Sequence, residues 1–505
     1  MTRKLLIFTI LIASFSNLSA QRRNYVATQS DTLNAINNFV LQTMAEWKVP
    51  ACGITIVKDG KPYYTSAYGL KNVSKNQPAT VNTLFGIASC TKSFTAAALA
   101  ILADEGKLDW DTPVKTYMPD FQLYDQEVTN RITARDLLSH RTGLPNHDDM
   151  WVAANSDRKT LFDNLKYLKP KHPLYTHYQY NNLMYMAAGV LVERLSGKTW
   201  EAFIKEKLLT PLDMKNTVLT YPEYFRSPDY ATSYDYKKDQ NIEVGFGSNV
   251  DAIGPAGSVK TNMIDMTNWL LMQLGNGKFN GKQIVSEKNL HENHTPLQIV
   301  LPATAKYSEL GFSTYGMGWA MNSYRGQQRR QHSGSIDGFR SLMTVFPNNN
   351  LGIFVTTNTD AAQRYVVNII TNYIVDNLLN MNVIDWNSRF VKERNDATFE
   401  EEKAKREHNS SRKMGAMMSH GIDYYTGIFE HPAYGTLQIF KTDKGLRGVF
   451  HNKQFDVNHF HYDFFEGSDI LEGVMFNFPT NPKGDIDKII AIFPESGEVE
   501  FKKRN

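Results

Sequence analysis

Cysteine is almost absent: Cys52 and Cys90 are the only two in 505 residues. There is no Cys-x-x-Cys and no disulfide framework. A bridge between the two would need Cα atoms within about 7 Å, and two buried free thiols are the favoured reading. Excess charge of one sign is also missing. Lys+Arg 55 against Asp+Glu 52 leaves +3, and without residues 1–20, which carry Arg3 and Lys4, the balance is +1. A nucleic-acid partner needs a basic footprint that this balance does not supply. No segment is long and apolar enough for stable membrane insertion. No Gly-x-Ser-x-Gly elbow occurs, which argues against an α/β-hydrolase. Neither Gly-x-Gly-x-x-Gly nor a phosphate loop occurs, so no nucleotide cofactor is implied, and nothing repeats at a fixed period.

What is present describes a packed globular chain, 42% apolar and 12% aromatic. Its length exceeds what one core usually holds, so one large domain and a smaller one are expected. At the N-terminus, Arg3 and Lys4 precede an apolar run from Leu5 to Phe15, then Ser19-Ala20 and Gln21. A short basic region, an apolar stretch too brief to span a bilayer and small residues before a polar one describe a cleaved export signal over 1–20. The implied location is periplasmic or secreted. No cysteine precedes Cys52, so a lipid-modified N-terminal cysteine is excluded.

Asp31 to Trp47 reads as a helix capped by Ser30 or Asp31, with Leu33, Ile36, Phe39, Val40 and Met44 on one face. Ala51–Val57 and Pro62–Tyr68 flank Asp59-Gly60, a two-residue hairpin signal. Helical patterns follow at Ser89–Glu105, Ala134–Ser139, Leu183–Leu195 and Asn262–Leu274. Arg340–Phe346 and Leu351–Thr357 then read as strands around Pro347-Asn348-Asn349-Asn350, and Arg364–Leu379 as a helix. Strands at both ends with helices between them predict an α+β sheet whose first and last strands meet. The hydrolase-sized unit spans 21–385. Residues 386–418 read as a charged linker, in part helical. The chain from 419 to 505 alternates short apolar runs with turns such as Asp443-Lys444-Gly445, a small antiparallel β domain.

The chemistry concentrates at Ser89-Cys90-Thr91-Lys92, which opens the Ala-rich run Phe94–Leu102. A serine at a helix start sits where backbone N–H groups and the dipole favour negative charge. Three residues on, Lys92 shares its face. Burial and the positive helix end disfavour the ammonium, freeing an amine to take the serine proton. Ser156–Lys159 and Ser410–Lys413 repeat the spacing without opening an apolar helix, so spacing alone is weak evidence. Tyr180-Asn181-Asn182 is the only Tyr-x-Asn. A phenol there can relay a proton, and the Asn182 amide can hold a substrate carbonyl or fix the lysine. His332-Ser333-Gly334 is the only His-x-Gly. On an edge strand, Gly334 allows close backbone approach and Ser335 can offer an oxyanion-hole N–H.

The order Ser-x-x-Lys, Tyr-x-Asn, His-x-Gly resembles the penicillin-binding-protein and class C β-lactamase superfamily of serine hydrolases. Residues 132–144, Pro255-Ala256-Gly257-Ser258 and Tyr315-Gly316-Met317-Gly318-Trp319 look like that family as well, and the resemblance covers about residues 30–380. It implies an antiparallel sheet flanked by helices with a mostly helical insert, and no cofactor. It also implies Ser89 as acyl acceptor, Lys92 as its base, Tyr180 sharing proton transfer to the leaving group, and Asn182 and His332 against the substrate. The oxyanion hole would use the N–H groups of Ser89 and Ser335. The β domain resembles the lipocalin-like domain that follows some family members, matched at Tyr425-x-Gly427 and Tyr434-Gly435. Access control or oligomerisation through it is the corresponding expectation.

One departure bears on the substrate. The family's third motif commonly begins with lysine, a cation for the substrate carboxylate, whereas His332 is mostly neutral at pH 7. Arg141-Thr142-Gly143 has the cation but falls between the first two motifs. Weak carboxylate anchoring follows, and with it an esterase or a peptidase for D-amino-acid or other short peptides. β-Lactamase or carboxypeptidase activity, and a non-catalytic ligand-binding or sensor role, are the alternatives. No metal is assigned: His459-x-His461 with His451 lacks a carboxylate at ligand spacing, and His291-Glu292-Asn293-His294 places its histidines at i, i+3 and reads as a polar helix end. N-terminal sequencing of the exported protein is expected to begin at or beside Gln21; an intact Met1 would refute the export reading.

Overall fold

The computed structural model describes residues 29–504 apart from 153, 238–239, 246–249, 301–304 and 361–362. The export segment lies outside these residues. The N-terminal helix runs Gln29–Trp47 and buries Ile36, Val40, Met44 and Trp47. The hairpin strands are Ala51–Lys58 and Lys61–Asn72, and Asp59 and Gly60 between them have φ of 53° and 73°. Both are positive, as a type I′ turn requires. The first strand also pairs with Leu351–Thr357, Ile54 opposite Val355, so the early and late strands do meet.

These two strands are buried almost throughout, without the alternation of a one-sided sheet, because helices cover both faces. On one face the N-terminal helix packs with Val366–Leu378, Phe39 and Tyr373 stacking at 3.7 Å. On the other lies Met263–Leu274, where Thr267 Oγ1 is 2.5 Å from Thr55 Oγ1. The sheet has nine strands in the order Gln298–Val300, Ser313–Tyr315, Ala320–Tyr324, Gln327–Ile336, Phe339–Phe346, Leu351–Thr357, Ala51–Lys58, Lys61–Asn72 and Gln77–Pro78. The predicted antiparallel sheet with flanking helices is therefore the fold observed. The helices between the hairpin and the late strands form a second layer around Lys92–Asp104, whose Phe94 stacks on Trp269 at 3.7 Å. Cys52 and Cys90 are buried free thiols.

The charged segment after residue 385 is helical from Trp386 to Ser411. It holds no proline or glycine, and Asp385 caps it by accepting from Ser388 N–H. Surface pairs such as Lys392–Asp396 and Glu402–Arg406 lie at helical spacing. Near its start Asn387 accepts from Trp47 Nε1 at 2.7 Å; just past its end Arg412 donates to the carbonyls of His459 and Phe460. The helix thus ties the large domain to a closed barrel of eight antiparallel strands, Gly427–His431 through Gly497–Lys503. Phe429, Phe455, Phe476 and Phe501 are among its buried residues. In the barrel His459 Nε2 donates to the Tyr462 carbonyl and His461 Nδ1 accepts from Lys413 N–H.

Ile54, fully buried where the first strand meets both the late strand and the N-terminal helix, tests this core. Ile54→Ala is expected to cost about 3 kcal/mol in chemical denaturation; a loss below about 1 kcal/mol would mean the core is not packed there.

Candidate active site

Three segments converge on one hydroxyl. Leu84–Ile87 is buried, and Phe85-Gly86 pairs with Lys260-Thr261, which fixes the approach to Ser89. Sequence reading starts an α-helix at Ser89. Instead Ala88, at φ 45°, begins a 3₁₀ turn over Ala88–Thr91, and the α-helix starts at Lys92. The tighter turn keeps both side chains on one side: Lys92 Nζ lies 3.1 Å from Ser89 Oγ.

The second segment supplies the other contacts. Tyr180 Oη donates to Ser89 Oγ at 2.8 Å. Asn181, not Asn182, caps the helix Asn182–Ser196, accepting from Met184 N–H at 2.9 Å. That leaves Asn182 free to accept from Lys92 Nζ through Oδ1 at 2.7 Å. Lys92 Nζ also donates to the Ala256 carbonyl, 3.0 Å away, in the Pro255-Ala256-Gly257-Ser258 segment.

The third segment is the strand Gln327–Ile336. Expected at an edge, it is internal over Gln327–Gln331, where Ala320–Tyr324 pairs with it, and lacks that partner over His332–Ile336. The open half faces the serine turn. A Cβ on Gly334 would come within 2.1 Å of the Ile87 carbonyl oxygen, so only glycine lets strand and turn approach this closely. His332 is buried; its Nδ1 donates to the Ser333 carbonyl at 2.7 Å and its Nε2 accepts from Tyr315 Oη at 2.8 Å. Ser335 is exposed and its hydroxyl donates to Asp360.

Electrostatics follow from burial. Lys92 is fully buried and its pKa is lowered to about 7, chiefly by loss of water, with the Asp148 carboxylate opposing. The depression corresponds to roughly 5 kcal/mol in favour of the neutral amine. A neutral amine has two N–H groups and one lone pair. Two neutral oxygens, of Asn182 and Ala256, suit the donors and leave the lone pair for the serine proton. Tyr180 is pushed well above the usual phenol range by burial, so it stays protonated beside Ser89. His332 is lowered to about 3 by burial and by Lys92, and is neutral.

Sequence reading misses Asp148, which accepts from Asn182 Nδ2 at 3.0 and 3.2 Å and from Trp151 Nε1 at 2.7 Å. It also misses His140, whose ring lies 4.3 Å from that of Tyr180 and whose Nδ1 accepts from Asn181 N–H. Neither stands at a spacing that signals its partner. Arg141, the cation in the wrong order, is bonded to buried Asp136 at 2.6 Å and lies over the Tyr175 ring.

A serine bonded to a buried lysine and a tyrosine, in a helix-covered antiparallel sheet, defines a serine hydrolase of the Ser-x-x-Lys kind. The sequence profile of the family described as Beta-lactamase matches residues 36–372, and the chain belongs to that family. Residues 411–503 match a domain of unknown function, DUF3471. An unguisins hydrolase of Aspergillus campestris is 28% identical over 421 residues, covering 79% of this chain and 76% of that protein. The octameric penicillin-binding protein homologue of Pyrococcus abyssi superposes with a TM-score of 0.61 at 23% identity, over 93% of this chain and all of that one. The D-amino acid amidase of Ochrobactrum anthropi does so with a TM-score of 0.58 at 22% identity, over 69% and 99%.

Gly334→Ala is expected to lower Ser89 reactivity toward an active-site probe at least tenfold, because strand or turn must move. Unchanged reactivity would show that the approach of Gly334 to Ile87 does not set the geometry.

Proposed function

We propose that the chain hydrolyses an amide or ester, in D-amino-acid peptides or small esters, through an acyl-enzyme on Ser89. The observation that carries this reading is the bonding of Ser89 Oγ to both Lys92 Nζ and Tyr180 Oη. Ser89 attacks the carbonyl as its proton passes to Lys92; the N–H groups of Ser89 and Ser335 hold the oxyanion. The C–N or C–O bond breaks, and the proton reaches the leaving amine or alcohol by way of Tyr180. Water, deprotonated by the same pair, then cleaves the acyl ester and restores Ser89.

The substrate class rests on charge. His332 is neutral, Arg141 is committed to Asp136, and Arg340, the register partner of Ser335, lies 3.9 Å from Asp360. None of these is an uncommitted cation for a terminal carboxylate, which disfavours efficient β-lactam hydrolysis. The name of the unguisins hydrolase supports hydrolysis, and that of the D-amino acid amidase supports an amide substrate.

A fluorophosphonate is expected to label Ser89 in the wild type and not in Ser89→Ala. The rate should rise with pH through about 7 as Lys92 loses its proton, since the neutral amine is the base. Lys92→Ala is expected to lose about 10³-fold and Tyr180→Phe about 10²-fold. No labelling of the wild type would favour a non-catalytic role, and faster turnover of a chromogenic cephalosporin than of D-alanyl anilides or p-nitrophenyl esters would favour a β-lactamase.

A further inference from the structure

The barrel, whose family has no stated function, meets the large domain next to the active site. Strands of an up-and-down barrel are joined by turns that alternate between its two ends. Three turns of one end reach the loop Asn146–Asp149. From Tyr434, before the second barrel strand, the hydroxyl lies 2.6 Å from His147 Nδ1. From the turn between Gly445–Phe450 and Lys453–His461, His451 Nε2 donates to the Asp149 carbonyl at 2.9 Å. From the turn between the last two strands, Ser496 Oγ donates to the Asn146 carbonyl at 2.7 Å, and Glu495 accepts from Asn146 Nδ2 at 2.7 Å. The barrel thus holds Asn146, His147 and Asp149, on both sides of Asp148.

Asp148 is the residue this loop presents to the site. It accepts both hydrogen bonds from Asn182 Nδ2, and the other end of that amide accepts from Lys92. An amide held at its nitrogen end has its oxygen aimed; released, it can turn and offer Lys92 an N–H in place of an acceptor. We propose that Asp148 is a positioning residue for Lys92, acting through Asn182, and that the barrel is its support, so that the C-terminal domain completes the active site. This rests on the Ser89–Lys92 reading above. His147 is buried and neutral, its pKa lowered to about 4 by loss of water, so its contact with Tyr434 is one between uncharged groups and holds across neutral pH.

Asp148 also bears on the charge of Lys92, whose other titratable neighbours are Tyr180, Tyr185, His140, His332 and Cys90. With both histidines kept neutral by burial and the phenols and thiol protonated, Asp148 is the acid among them: burial raises its carboxyl, while the Trp151 and Asn182 hydrogen bonds and Lys92 favour its charge, and Asp149 beside it is raised to about 6 by burial and by Asp148. Its removal is expected to move the acid limb of the pH–rate profile to lower pH, because the ammonium loses its counter-charge.

The test is the rate of fluorophosphonate labelling of Ser89 against pH, in the full chain. Asp148→Asn should shift the acid limb downward. Tyr434→Phe should lower the rate about three- to tenfold and shift the limb the same way, while Lys444→Ala, at the far end of the barrel, should do neither. In the Asp148→Asn background Tyr434→Phe should add nothing, since the route through Asp148 is already broken. Equal effects of Tyr434→Phe in both backgrounds, or none in the wild type, would overturn the barrel's role. An unmoved limb in Asp148→Asn would overturn that of Asp148. Ser496→Ala is read the same way where melting shows that Tyr434→Phe does not fold. A wild type that takes no label would instead sink the hydrolase reading itself.

Discussion

A lysine amine taken out of water and given only neutral oxygens for company is the condition on which the site depends. Lys92 is fully buried, yet Ser89, Asn182 and the Ala256 carbonyl surround its nitrogen without placing a carboxylate against it. A directly bonded carboxylate would restore the ammonium and remove the neutral amine beside Ser89. Full desolvation with nothing beyond it would drive the pKa lower still. Asp148, one residue removed, offsets part of the burial and keeps the amine near neutrality.

The rest of the architecture can be understood as the means of meeting that condition. The helix Lys92–Asp104 is buried from Lys92 to Leu102, which its Ala-rich sequence allows with helices on several sides. The sheet brings a glycine-bearing strand against the serine turn. The helix Asn182–Ser196 is capped by one asparagine so that the next can serve the site. His140 and Tyr315 pack their aromatic rings against Tyr180 and His332.

The parts legible in the sequence are those set by local spacing. Ser89 and Lys92 share a face at i, i+3; Tyr180 and Asn182 stand just before an apolar helix; Gly334 sits in a strand where a side chain would be expected. The hairpin at Asp59-Gly60 and the meeting of the first and last strands follow from turn chemistry and apolar runs. The 3₁₀ turn at Ser89 is not legible, because its tightening comes from the packing of Gly334 and Ser341 on the Ile87 carbonyl. Asp148 is not legible either. Its partner lies 34 residues away and its support about 300 residues away, with nothing periodic to connect them. The helix Trp386–Ser411 is hidden for another reason: with only Trp386 buried, it has no apolar stripe to mark it, and its stability comes from charge spacing and from its anchored ends.

That helix has a geometric corollary. A rod of 26 residues joins two bodies that also touch each other directly, near the loop at Asp148. Each residue of an α-helix advances the chain by about 1.5 Å and turns it by about 100°. Deleting one residue from this solvent-washed, compositionally plain stretch would therefore swing the barrel through more than a quarter turn and carry Tyr434, His451 and Ser496 away from the surface they meet. The side chains exposed over residues 395–407 are free to vary; their number is not.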